Sequence, residues 1–457
     1  MTLRNWAECE LGRAELGDPR RTARLVAMAE ALAAAPAGTL TQAFTRSSER
    51  EGAYRLVEND RVEPKEIGRA ALRACLERTK ELPFFYVPID GSSLTLTDRT
   101  RAKGLGRVGN RVVKSFGVEV MTAIGVAPDG VPLGYCAQQY WTRPDEPNRR
   151  SHKRRPLEQK ETRYWMQAIA AVEAARESGT AIPWYQVDRG GDFRELIEWQ
   201  ASADAWVTIR ANQNRRVAGR SKYLRSAMKK AKVLGHYDLP VAKGPQRSAR
   251  VARIEVRATT VSLRLTDRCS ERKTHESMQA VLAREVGTTP RGEEPIEWLL
   301  LTNHAAQTLA QARLVIGGYA TRWRIEEFHR TWKTTCGVEQ TQLRSALSVQ
   351  RWAVTLAVVA MRIERMKRLA RTTPDVPATE ELKPIEVDAL LALKHPDRFG
   401  TGYMPTIGEA VLWIAELGGY TGKSSGGPPG AVVIGRGLEK VQGAVWAVGN
   451  LRGAKKM

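Results

Sequence analysis

The sequence predicts an α/β protein in three parts: an N-terminal helical domain over 1–78, a central domain over 79–370 built on a mixed five-stranded sheet, and a C-terminal helical domain over 371–457. Three observations carry this. Apolar residues recur at helical spacing over the first seventy-odd positions, the period switches near residue 84 to short apolar runs between helical stretches, and a linker with Pro374 and Pro377 precedes a last helical segment.

Length and charge set the limits. A chain of 457 residues holds about two to four domains and a large core. Its 72 Lys+Arg against 50 Asp+Glu give a net charge of +22 and a pI near 10.0. Such an excess implies a polyanionic partner, nucleic acid first and an anionic membrane surface second. Because the cations are spread through folded segments instead of one tail, a nucleic-acid track is favoured. Cys9, Cys75, Cys136, Cys269 and Cys336 stand apart with no C-x-x-C, which argues against a zinc site and a disulfide framework and for a reducing cytosol. No apolar run of membrane-spanning length and no signal-peptide core are expected, so the reading is a soluble, cytoplasmic protein without a membrane partner.

In the first domain, Asp18 is the expected N-cap of a helix with Pro19 at its first position. Arg20, Arg21 and Arg24 then share about 100° of that helix, a DNA-backbone contact or a solvated face. Ser48 to Glu51 reads as a capping box for a second helix, and a third spans about 65 to 80.

Phe84 to Asp90 is an apolar run ending on a carboxylate, read as a buried strand. Strands at 117–127 and 131–139 flank the turn Pro128-Asp129-Gly130, and a basic loop follows from Pro144 to Pro156. A helix over Glu158 to Ser178 leads to the strand Pro183 to Asp188, again closed by an acid, then a helix at about 192–202 and a strand at 205–211. The order β-β-β-α-β-α-β, with a crossover that lays the fourth strand parallel to the first, brings Asp90 and Asp188 together. That is the ribonuclease-H-like arrangement.

A β-rich insertion over about 212–297 interrupts it. Residues 210 to 257 hold fourteen Lys or Arg against Asp238 and Glu255, so the insertion lies against nucleic acid or is a solvated hairpin. The strand Ile296 to Thr302 returns the chain to the core.

A helix over 319–333 follows, and at about 100° per residue Tyr319, Arg322, Glu326 and Lys333 fall in a stripe about 60° wide. A carboxylate between cations suits a metal ion beside a phosphodiester; the alternative is a solvated face with i, i+4 ion pairs. Trp323 and Phe328 point away from the stripe, where they can pack. Further helices are expected at about 346–370, 380–394, 405–418 and 436–451, the last two separated by the flexible Ser424 to Gly430.

Asp90, Asp188 and Glu326 therefore converge as hard oxygen ligands, which select Mg²⁺ or Mn²⁺. Two such ions about 3.5 to 4 Å apart can activate a hydroxyl and stabilise the leaving oxygen of an in-line displacement at phosphorus.

Residues Leu16 to Leu25, Glu51 to Arg55, Trp298 to Thr302 and Arg322 to His329 resemble the DDE transposases of bacterial cut-and-paste elements, in the insertion-sequence group with the Tyr-Arg-Glu-Lys signature. The resemblance runs nearly end to end. It implies that Asp90, Asp188 and Glu326 form the catalytic triad with two Mg²⁺ or Mn²⁺ ions. Tyr319, Arg322 and Lys333 would hold end phosphates, Trp298 would stack on a flipped base, Arg210 would touch DNA, and Arg20, Arg21 and Arg24 would read the transposon end. Asn212 stands where the family has Lys, and the C-terminal segment is shorter with a Gly/Pro insert. The implied partners are double-stranded DNA, as terminal inverted repeats and target, and a second copy of the chain in a synaptic complex; the implied place is the bacterial nucleoid. The implied reaction frees a 3′-hydroxyl, forms and reopens a hairpin, and joins the 3′ ends to target DNA. Two other functions fit the residues: a catalytically silent DNA-binding regulator, and a ribonuclease-H-fold nuclease without strand transfer.

Overall fold

A computed structural model describes residues 5–36, 39–44, 46–98, 101–109, 115–144, 155–177, 179–244, 247–423 and 427–454. Most of the basic loop expected at Pro144 to Pro156 and the start of the Ser424 to Gly430 segment lie outside these residues.

The N-terminal helices are α1 (Trp6–Leu11), α2 (Pro19–Ala34), α3 (Leu40–Ala43), α4 (Ser47–Val57) and α5 (Pro64–Glu77). Asp18 caps α2 as expected, its carboxylate accepting from the Arg20 amide at 2.9 Å. The capping box at Ser48 does not form. The helix α4 starts earlier, behind Arg46, so Ser48 is already inside it and Glu51 pairs with Arg55 one turn on.

In the centre are β1 (Phe84–Thr95), β2 (Gly106–Val108), β3 (Ser115–Val126), β4 (Pro132–Trp141), α6 (Arg163–Ala175), β5 (Ile182–Val187), α7 (Arg194–Trp199) and β6 (Trp206–Arg210). The order β4-β3-β1-β5-β6, with β1, β5 and β6 parallel and β3 and β4 antiparallel, is the ribonuclease-H-like core. The helix expected over Glu158 to Ser178 is shorter, since a 3₁₀ turn at Leu157–Gln159 precedes α6.

The insertion contains α8 (Leu224–Lys230), β7 (Val233–Val241), β8 (Arg250–Thr266) and β9 (Lys273–Val286), and the return strand is β10 (Glu297–Thr302). It is not a separate hairpin. β10 pairs with β6 on one side and β9 on the other, so the five core strands continue through β10-β9-β8-β7 and, with β2 paired to β3, make a ten-stranded sheet. Apolar alternation along β8 and β9 buries Ile254, Val256, Leu263 and Val281 and makes that continuation stable.

Next come α9 (Leu309–Thr321), α10 (Trp323–Arg330), α11 (Ala346–Thr372), α12 (Pro384–Lys394), α13 (Ile407–Leu417) and α14 (Ala431–Ala454). By length and composition α11 could cross a membrane, with a mean hydropathy of 1.3, which corrects the expectation that no run approached that length; 83% of the stretch is buried inside the protein. It is the core helix on which the N-terminal helices, β4 and α13 pack. The terminal regions also touch directly, through Lys383 and Glu30 at 2.9 Å.

Arg351 of α11, 1% exposed, donates to the carbonyls of Val62 (2.5 Å) and Val57 (3.0 Å) at the end of the N-terminal helices. Arg351→Met strands both carbonyls. At about 1 to 3 kcal/mol for a buried partner left unmade, the variant should unfold several degrees below the parent and release the N-terminal helices to protease first.

Candidate active site

The parallel ladder between β1 and β5 ends at Ile89 opposite Val187, so Asp90 and Asp188 emerge as the next residue on neighbouring strands. β1 does not stop at Asp90, as the sequence suggests; it runs on against β3, with Asp90 opposite Thr122. The acid marks where its parallel neighbour runs out. Asp90 accepts from the Gly91 amide and Asp188 from the Gly190 amide, each at 2.8 Å. Asp188 thereby caps a 3₁₀ turn, Arg189–Gly191, that folds back so tightly that a Cβ on Gly191 would sit 2.7 Å from Val187.

The expected single helix over 319–333 is three pieces. α9 and α10 meet at Arg322, and α10 passes into a π-turn, Thr331–Thr335, a geometry frequent at functional positions. The predicted stripe nonetheless comes together. Arg322 donates Nη1 to Asp90 and Nη2 to Glu326, both at 2.6 Å, and one guanidinium thus joins acids 236 positions apart in sequence (326 less 90). Tyr319 is bonded to Arg322 and to Arg210 at the end of β6. From the π-turn, Lys333 donates to the Ser93 carbonyl of β1 at 2.7 Å. Trp332, buried, anchors that turn by donating to the Ala353 carbonyl of α11 at 3.0 Å.

Trp298 stands edge-on to Tyr319, ring centroids 5.1 Å apart, and with Arg210 and Arg189 lines a cleft of about 630 Å³. Phe328 is fully buried as expected, but Trp323 is 54% exposed, because the break at Arg322 turns it to solvent. Arg20, Arg21 and Arg24 lie on α2, apart from this cluster. Arg20 bonds to Asp18, Arg21 donates to the Leu16 carbonyl at 2.8 Å, and Arg24 lies over Gly52 of α4.

Three family models match the chain: Transposase DNA-binding over residues 3–62, Transposase DDE domain over 166–362, and Transposase Tn5 dimerisation domain over 358–455. Their order follows the helical module, the sheet and the C-terminal helices. The chain belongs to the Tn5-type DDE transposases. This transposase is accordingly a DNA-cleaving and strand-transferring enzyme that depends on a divalent metal and has DNA and a second copy of itself as partners. The DDE match contains Asp188 and Glu326 but starts downstream of Asp90, whose place rests on the β1–β5 register.

Burial pushes the Asp90 carboxyl of the transposase up to about 6, the charges of Asp188 and Glu326 push the same way, and Arg322 and the Gly91 amide oppose them. Asp90 thus feels the charge of both other acids. As placed, no three His, Cys, Asp or Glu groups among the described residues stand close enough to hold an ion, since Arg322 lies between Asp90 and Glu326. The donor set fits a hard cation, and seating one between those two acids requires the guanidinium to move aside.

His329, one turn beyond Glu326, escaped the sequence reading. It is 8% exposed, its Nε2 has no partner, and burial first, then Lys333 and Arg322, hold its pKa down at about 3. An unfolded histidine titrates near 6.5, so its contribution to stability is present above that pH and is lost as pH falls toward 3. At pH 5 the loss is about 2 kcal/mol. His329→Leu should melt closer to its neutral value than the parent does when both are scanned at pH 7 and pH 5.

Proposed function

We propose that Asp90, Asp188 and Glu326 are the metal-binding catalytic residues of a cut-and-paste transposase, taking two Mg²⁺ or Mn²⁺ ions. The observation behind this is the single guanidinium that spans Asp90 and Glu326 at 2.6 Å while Asp188 leaves the neighbouring strand. Bound divalent ions would supply an activated hydroxyl and a stabilised leaving oxygen at phosphorus. Lys333, Arg322, Tyr319 and Arg210 grip the phosphates flanking the scissile bond. Trp298 offers its ring to a base displaced into the adjoining cleft, and Arg20, Arg21 and Arg24 contact the outer part of the transposon end. The basic surface of the insertion follows the same duplex. Hydrolysis frees a 3′-hydroxyl, which forms a hairpin with the opposite strand; after reopening, the 3′ ends attack target DNA. A pair of copies assembles on two ends, and exposed Leu393, Met404, Leu412 and Val432 give the C-terminal region an apolar surface for that contact. The setting is the cytoplasm, on the chromosome.

The test uses a duplex carrying the inverted repeat that flanks the coding region, with Mg²⁺ and a target plasmid. Nicked, hairpin and joined products should appear in that order and vanish in EDTA. Cleavage without joined product would make the protein a nuclease; tight binding without cleavage would make it a silent regulator.

A further inference from the structure

The turn that begins at Asp188 closes on a second aspartate, Asp192, which is 3% exposed. Its Oδ2 accepts from the backbone amides of Asn212 and Gln213, each at 2.8 Å. Its Oδ1 accepts from Arg215 Nε at 2.8 Å and Nη2 at 2.6 Å. Even its carbonyl is taken, by Arg215 Nη2 at 2.7 Å and Gln213 Nε2 at 3.3 Å. All six bonds run to one segment, 212–215, which leaves β6 immediately after Arg210.

A buried carboxylate is costly unless paired and fully hydrogen-bonded, and here both conditions hold, with the Arg215 side chain 10% exposed. The place of the clamp matters more than its strength. The β5–β6 ladder reaches only Val187 opposite Ile209, so Asp188 and Arg210 are the residues just past it. Beyond that pair β5 and β6 no longer bond to each other; β10 still holds Arg210 opposite Leu300, and it is Asp192 that ties the loop leaving β5 to the one leaving β6.

We propose that Asp192 is a positioning residue that sets the spacing between Asp188 and Arg210, and so between the bound ion and the gripped phosphate. This rests on the reading of Asp188 as a metal-binding catalytic residue and Arg210 as a DNA contact. Misplacement of reacting groups by about 1 Å costs on the order of 100-fold in rate.

Full-length transposase with Asp192→Asn should cleave end DNA about 100-fold more slowly in single turnover, while its affinity for that DNA in EDTA changes less than about tenfold. Peptides covering 186–193 and 210–216 should exchange amide hydrogens faster than in the parent. Because the single change also leaves Arg215 buried without its partner, Asp192→Asn/Arg215→Gln is compared, a neutral pair that restores the melting temperature. In it cleavage should stay at least about tenfold down. Recovery of both melting and cleavage in the neutral pair would reduce Asp192 to a stabilising ion pair and overturn the proposal, as would unchanged cleavage or unchanged exchange in the single variant. Asp188→Asn is run alongside: persistent cleavage there would show instead that the catalytic assignment itself fails.

Discussion

Asp188→Asn should lower cleavage of transposon-end DNA by at least about three orders of magnitude, equivalent to about 4 kcal/mol of lost transition-state stabilisation. The geometry keeps that loss specific. Asparagine retains an oxygen that can accept from Gly190, so the 3₁₀ turn survives, while the charge that an ion needs is gone. Binding to the same DNA, followed by gel shift, should remain within a few-fold because the cations proposed to grip phosphate are untouched. A variant that lost binding but still cut would contradict the proposed role.

Arg322→Ala should pull two measurements in opposite directions. In the protein without DNA, Arg322 occupies both Asp90 and Glu326, so an arriving divalent ion competes with it for the same oxygens. Its removal should raise Mg²⁺ affinity, seen as a larger thermal stabilisation on titration with the ion. Cleavage should nevertheless fall by about 100-fold or more, since a charged bidentate donor to phosphate has been deleted. Under the proposed roles, an end phosphate would draw the guanidinium away and free the acids in the parent. An Arg322→Ala variant that bound Mg²⁺ no better than the parent would exclude this competition.

The pairing of Asp90 with Asp188 was legible in the sequence because each closes an apolar run and the order of strands leaves one sensible way to place them. Glu326 was legible from spacing, which survives the break because Arg322 itself keeps helical backbone angles, φ −52° and ψ −30°. What spacing does not carry is a partner's identity. The guanidinium spanning two acids and the π-turn beneath Lys333 follow from packing against β1 and α11, far away in sequence, and the exposure of Trp323 from the helix break at Arg322. Asp192 fell at the expected start of the helix at about 192–202, which in fact begins at Arg194, and nothing local announces bonds made twenty positions later. The insertion was read as β-rich and basic, yet its fusion with the core depends on β10 choosing β6 and β9 as neighbours, a non-local pairing. The Ser48 box failed for a smaller reason, because helix α4 simply began upstream of it.

That fusion carries one continuous sheet from the proposed catalytic acids to the rim of the insertion. From β1 to β8 the sheet crosses five strand spacings, about 24 Å at about 4.8 Å each, the length of about seven base pairs. If the basic insertion holds the duplex as proposed, the bond presented to the acids lies a set number of steps along, fixed by how many ribbons lie between. Under that proposal, adding a base pair to the spanned DNA is expected to move the cut by one step, read by sequencing the cleaved ends.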